Sequence, residues 1–491
     1  MIFTVAFFFN IAGNFAFGVA MGALLGPAEF GRFATVTLAA IVLGAALFDW
    51  LRHAALRFSG DEGQRVRTAS NLDAAYLAMM ALLLAGFGAL ALGGARFGLS
   101  PTLLALTPLL AIAGNRVEYA AVLLRVRERP VAYAALYGLR QLLAFTLVVG
   151  VAYRTRDSGA TICALIVACL IPALAVGAAL RTPGARLADA SRASLAQFFV
   201  YAKPIVAALA IYQVIALVNR QVALEVLGAD ATGRLSLATD MGQRLFQAFN
   251  TLPELMLFQY ALSRERKEGV ASAEAQLAVN STLVLALLAP MAAGYMVMAS
   301  TFEALMVPVA YRGDFAGLAW DLTPGFLAFY AISSTLSPAL QLAKRTWPLT
   351  IPALVALAAD LALLKFGGAA QDVHALARAY SISLAVGYLA TAAVALRSPA
   401  VRPKARDIGV IAASTLAMAL AVRPLNGLGH PALGAALALA LGGLVYGGPI
   451  LWFDVAGLRS LARKRIAGSL SRGAAPQPRS LPGASSGGSL Q

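Results

Sequence analysis

Residues Leu25–Phe33 read LGPAEFGRF, and residues Leu227–Leu235 read LGADATGRL. A leucine, two glycines and an arginine recur at matching places, 202 residues apart. Each stretch ends one long apolar run and opens another. A chain that makes the same turn twice with the same residues reads as two copies of one unit, and the architecture follows from where the copies lie.

The chain has 491 residues, of which 60% are hydrophobic and only 13% charged. A soluble domain of this length needs far more charge to cover its surface. Apolar runs of about 20 residues recur from end to end, the length that crosses a hydrocarbon core roughly 30 Å thick. The fold class expected is an all-α integral membrane protein with about 14 transmembrane helices. Ile2–Leu25 follows Met1 with no basic stretch and reads as a retained first span, not a cleaved signal.

Charge tests that count. With the amino terminus in the cytoplasm, alternate connections carry 26 Lys and Arg on the inner side against 8 on the outer, out of 39. Such a bias fails if one span is miscounted. Both termini are therefore expected on the cytoplasmic side of the cytoplasmic (inner) membrane. The net charge of +16 is explained by these clusters, so nucleic acid is not an expected partner. Two cysteines in one apolar run and three scattered histidines offer neither a disulfide nor a metal site.

The repeat falls on the outer turns after spans one and seven. Six spans separate the copies, an even number, so both halves insert with the same orientation, as in transporters with a central site between two lobes. The expected layout is an N-terminal six-helix lobe (1–188), an interfacial linker helix (189–203), and a C-terminal six-helix lobe (204–396). A helix pair (397–453) and a basic, largely disordered cytoplasmic tail (454–491) follow. The two lobes are expected to be related by a pseudo-twofold axis along the membrane normal.

No nucleotide-binding loop, metal-ligand spacing or activated nucleophile appears, and no enzyme activity or cofactor is expected. The informative segment is span eight, TDMGQRLFQAFNTLPE from Thr239 to Glu254. Asp240, Gln243, Arg244, Gln247, Asn250 and Glu254 recur every three or four positions and form a polar stripe on an apolar helix. A mid-membrane charge costs about 2.5–3.5 kcal/mol on insertion scales, so the stripe must face protein or water. Gln213 and Arg220 share a face of span seven, Asn10 and Asn14 a face of span one, and Arg116 and Arg140 lie within spans four and five. Mutual neutralisation of Asp240 and Arg244, one turn apart, is the plain alternative for that pair. Several intramembrane arginines suit an anionic passenger, because guanidinium grips phosphate oxygens at two points and stays charged when buried. The expected phosphate ligands are Arg220, Arg244, Arg116 and Arg140, with Asn10, Asn14, Gln213, Gln247 and Asn250 lining the polar cavity. Asp240, Glu254 and Asp360 are candidates for coupling to an ion, either a proton or sodium.

Asn14, Gly18, Leu25–Phe33, Phe48-Asp49 and Ala55–Phe58 resemble the opening of polysaccharide-repeat flippases. These are a family of the multidrug/oligosaccharidyl-lipid/polysaccharide exporter superfamily. Phe198–Pro204 and Leu252–Ala261 resemble that family's seventh and eighth helices. Trp50-Leu51 departs from it, since many members carry Gly-Leu after the aspartate. The resemblance implies a fourteen-helix, two-lobed transporter in which helices one, two, seven and eight line a central cavity. It implies that polyprenyl-phosphate or pyrophosphate-linked saccharides pass from the inner to the outer leaflet by alternating access, for cell-surface polysaccharides such as lipopolysaccharide or exopolysaccharide. Implied partners are the bilayer, the lipid-linked saccharide, H+ or Na+, a polysaccharide polymerase and glycosyltransferases. A drug or metabolite antiporter of the same superfamily is the alternative, and a glycan polymerase or ligase a more distant one.

Overall fold

The structure is a computed structural model that describes residues 2–58, 65–94, 97–180, 182–342 and 347–460; for residues 2–11, 65, 178–179, 204–205, 252, 254–255 and 399 it describes the backbone only. Among the described residues the regular elements are all helical. Lobe one comprises α1 (Ile2–Phe58), α2 (Arg65–Leu92), α3 (Pro101–Val126), α4 (Pro130–Leu143), α5 (Val149–Thr155), α6 (Ser158–Ala175) and the short α7 (Gly177–Leu180). Lobe two comprises α8 (Arg192–Val222), α9 (Ala229–Glu268), α10 (Val270–Val297), α11 (Ala299–Met306), α12 (Phe315–Ala331), α13 (Ser337–Leu342), α14 (Thr350–Phe366) and α15 (Val373–Ala395). α16 (Ala405–Val422) and α17 (Pro431–Trp452) pack on each other and, through α16, on α10.

Ten helical stretches among the described residues are long and apolar enough to cross a membrane. The first of these holds two spans, because Gly26 breaks α1 with φ 71° and ψ 171°. α3, α9 and α15 have spanning length but are less apolar, with charged side chains inside them. Together these make the fourteen crossings that the charge pattern requires. The chain is an all-α, two-lobed membrane protein with a C-terminal helix pair.

The repeat has a conformational signature. Gly228, the counterpart of Gly26, has φ 88° and ψ 174° and separates α8 from α9 as Gly26 separates the halves of α1. This corner of backbone space is essentially closed to residues with a Cβ. The second glycine of each copy does something different. A Cβ on Gly31 would be driven into the carbonyl oxygen of Ala229, and one on Gly233 into that of Pro27. Gly31 and Gly233 are 202 apart, as are Pro27 and Ala229. Each copy therefore packs its glycine on the helix start of the other, as a twofold relation demands. The motif is conserved within the chain because it lies at the axis and touches itself.

Of residues 189–203, expected as an interfacial linker helix, 192–203 run without interruption into span seven as the first three turns of α8. The connection before them is fastened to lobe one. The Asn71 side-chain oxygen accepts the Ser191 amide at 2.6 Å, and the Ser70 hydroxyl accepts the Arg186 amide at 3.0 Å. The tail from residue 461 on lies outside the described residues.

Gly233→Ala should lower stability by about 1–3 kcal/mol, the cost of overpacking a close helix contact. Gly86→Ala, at a helical site with open space around the added Cβ, should be neutral or slightly stabilising. Thermal unfolding of the two purified variants compares them directly. Equal midpoints would mean that the crossing is looser than described.

Candidate functional site

The seam between the lobes is built by α1 of lobe one against α8 and α9 of lobe two. Two arginines of lobe two reach across it. Arg220, eight residues before Gly228, is 5% exposed and donates to the main-chain oxygen of Ala34 at 3.0 Å. Its other branch donates to Asp240 on α9 at 2.8 Å. Arg244, sixteen residues past Gly228, lies about 24 Å along α9 from that turn. Its guanidinium donates to the main-chain oxygen of Asn14.

That second contact depends on Gly18. In a helix the residue four positions on covers a carbonyl, and Gly18 has no side chain with which to do so. A Cβ there would stand 3.2 Å from the guanidinium carbon of Arg244. Among the described residues no carboxylate pairs with Arg244, so its charge is held at the seam by main-chain oxygen alone. Asp240 pairs with Arg220 across the α8–α9 contact, not with Arg244 one turn along its own helix.

The stripe on α9 divides into two edges. At about 100° per residue, Asp240, Arg244 and Gln247 lie along one line, whereas Gln243 and Asn250 sit roughly 60–80° to one side. α9 is wedged between the lobes, so the edges meet different surroundings. Gln243 turns into lobe two, donating to the Tyr380 hydroxyl at 3.2 Å, while its main-chain oxygen accepts from Tyr330. Asn250 is 2% exposed and accepts from the Ser334 hydroxyl at 2.7 Å, also within lobe two. Gln247 is exposed, and Gln213 and Asn14 are half-buried. The side chains of Asn10 and Glu254 lie outside the described residues.

Arg116 and Arg140 are not brought to the seam. Arg140, on α4, meets Glu118 of α3 at 3.4 Å, and the Tyr137 hydroxyl donates to the same carboxylate at 3.2 Å. Arg116 lies over the rings of Tyr76 and Tyr119 at 5.6 and 5.9 Å. Both therefore have partners inside lobe one. Asp360 is fully buried in lobe two, where the Asn219 amide donates to both of its oxygens at 2.8 Å. The Asn219 side-chain oxygen is buried with no partner of its own. A small cavity beside it is lined by Ala216, Arg220, Thr239 and Tyr380 among others.

Sequence reasoning missed Glu118 as a partner, because its helical position faces away from Arg116. It missed Asn219 as well, although an amide beside an arginine in an apolar run was a usable signal. Nor did it find the lobe–lobe contact of Tyr311, whose hydroxyl donates to Gly22 O at 3.1 Å while its ring meets Phe30 edge-on.

No protein-family model matches the chain, and no curated protein matches it in sequence. Solved structures do match. The lipid II flippase MurJ in an inward closed conformation superposes with a TM-score of 0.74, covering 94% of this chain and 99% of that one at 14% identity. The chain has that flippase's fold. An outward-facing multidrug resistance MATE family transporter of the MOP superfamily matches with a TM-score of 0.54, covering 84% of this chain and 95% of that one at 15% identity. At such identities the likeness is one of architecture: two lobes meeting at a seam, here crossed by two arginines.

The Arg220–Asp240 pair should show strong non-additivity. Removing either partner alone leaves a poorly solvated charge, so the double variant Arg220→Ala/Asp240→Ala should be less destabilised than the two single changes summed, by about 1–3 kcal/mol. A denaturation double-mutant cycle reads this, and strict additivity would mean that the two charges act independently.

Proposed function

We propose that this chain is a transporter that turns phosphate- or pyrophosphate-linked saccharide lipids from the inner to the outer leaflet of the cytoplasmic membrane by alternating access. The observation that carries the reading is Arg244, a guanidinium at the lobe seam whose only hydrogen-bond partner among the described residues is a main-chain carbonyl of the opposite lobe. The likeness of fold to a lipid flippase over nearly the whole chain supports it.

When the lobes part at the seam, Arg220 loses the Ala34 carbonyl and Arg244 loses the Asn14 carbonyl. A guanidinium stripped of its acceptor in a low-dielectric setting costs several kcal/mol. Phosphate oxygens of a headgroup supply replacement acceptors, two-pronged and charge-assisted, for both arginines. Asp240 holds Arg220 on the α8–α9 side and keeps it aimed at the seam. Asn14, Gln213 and Gln247 contact sugar hydroxyls, and the polyprenyl chain stays in lipid. Asn250, Arg116 and Arg140, committed within their own lobes, play no direct part. The buried Asp360–Asn219 pair, with its unpartnered amide oxygen, is the place where proton or sodium binding drives the cycle. Glycosyltransferases that make the substrate and a polymerase that consumes it are the expected partners.

Proteoliposomes loaded with a polyprenyl-pyrophosphate-linked saccharide test this reading, with arrival in the opposite leaflet measured by an added glycosidase. Arg244→Ala and Arg220→Ala should each reduce flux at least tenfold, the loss expected for one charge-assisted phosphate contact of about 1.5–3 kcal/mol. Undiminished flux in both variants would overturn the assignment. Drug efflux with no glycolipid movement would favour the antiporter reading, which the multidrug-transporter fold likeness also supports.

A further inference from the structure

Two connections at the crossing end leave their own lobe and lie on the other. One joins α2 to α3 in lobe one, and the other joins α10 to α12 in lobe two. They are equivalent in chain order, each linking the third and fourth spans of its lobe. A Cβ on Gly98, in the first, would stand 3.3 Å from the side chains of Leu224 and Glu225 near the end of span seven. Tyr311, in the second, donates its hydroxyl to Gly22 O near the end of span one, at 3.1 Å. Gly22 and Leu224 are 202 apart, the offset of the repeat. Each connection therefore lands four residues before the glycine corner of the opposite lobe, Gly26 or Gly228.

The two contacts are mates in position and unlike in chemistry. In lobe two the connection provides the side chain: Tyr311 is 1% exposed, and its ring meets Phe30 edge-on at 6.1 Å. In lobe one the connection provides the main chain. The Gln221 amide nitrogen donates to Phe97 O at 2.6 Å and to Glu225, one turn further on, at 2.7 Å. Glu225 thereby aims the amide at the turn. Phe97 and Gly98 are consecutive left-handed residues, with φ 48° and 63°. A residue with a Cβ keeps that conformation where its surroundings hold it.

We propose that the Phe97–Gly98 turn and the Tyr311 turn are twofold-related clasps that hold the seam shut at the crossing end, and that both release when the lobes part there. Each joins a residue of one lobe to a residue of the other, so neither survives that movement. The inference rests on the reading that the lobes alternate, not on what they carry. No passenger takes part in either clasp. They set how much of the empty protein is closed at this end. Because the contacts of one clasp are not shared by the other, their contributions multiply.

Pulsed dipolar distances in the empty full-length protein, reconstituted in lipid nanodiscs, test this. Spin labels go on Thr155→Cys in lobe one and Gln371→Cys in lobe two, both exposed at the crossing end, in a Cys163→Ala background. The parent protein should sit mostly at one short distance. Tyr311→Phe keeps the ring and removes the hydroxyl, and Gln221→Leu removes the amide at a part-exposed position. Each should raise the ratio of long to short distance about fivefold, the worth of one hydrogen bond. The double variant should raise it about 25-fold, the product of the two. Gln221 lies outside the buried core, so its variant reads the lobe-one clasp by itself. A long distance that is present but insensitive to both changes would overturn the clasps alone. A long distance in none of the four proteins would overturn the clasps and the parting of the lobes together.

Discussion

Everything in this molecule is organised around a place where the chain touches its own repeat. Gly31 and Gly233 let two helix starts approach until main chain meets main chain, each against the residue equivalent to the other's neighbour. No side chain fits there. Small residues are the means by which helices pack closely in a membrane, where burying apolar surface supplies no drive. The crossing is therefore both the hinge of the pseudo-symmetry and the tightest closure of the seam. The Tyr311–Gly22 hydrogen bond and the Phe30–Tyr311 ring contact brace the same end.

Symmetry at the axis is not carried into the charges. Arg244 has Val42 as its counterpart in lobe one, and Arg220 has Gly18. Lobe two supplies both guanidinium groups, while lobe one supplies the main-chain oxygens that receive them. The replacement of a side chain by Gly18 in the first lobe is what leaves the Asn14 carbonyl open to Arg244. Duplication thus gives the frame, and divergence at a few positions gives a charged seam with a cationic side and a neutral, acceptor-bearing side. Such a seam closes on itself through guanidinium–carbonyl contacts.

The architecture was legible in the sequence because the forces that set it are one-dimensional. Span length follows from bilayer thickness, the number of spans from the alternation of basic connections, and duplication from an exact offset. The α9 stripe was legible as polar but not as divided. Residues 60–80° apart on a helix look like one face until the neighbours on either side are known, and here Gln243 and Asn250 belong to lobe two. Partner choice was not legible either. Asp240 had an adjacent arginine on its own helix but pairs with Arg220 of α8, while Arg244 reaches across the seam to the Asn14 carbonyl. Arg116 and Arg140 illustrate the same limit. An intramembrane arginine reads identically whether its partner is a substrate or an aromatic ring within its own bundle.

The central claim is that the seam opens at the glycine crossing when an anionic lipid headgroup takes over the guanidinium groups. Spin labels at Thr155 in lobe one and Val309 in lobe two, both exposed at the crossing end, report it directly by pulsed dipolar distance measurement. Adding a polyprenyl-pyrophosphate-linked saccharide should shift population into a longer distance in the wild type, and Arg244→Ala should abolish that response. A single distance distribution, unchanged by the lipid, would contradict the account.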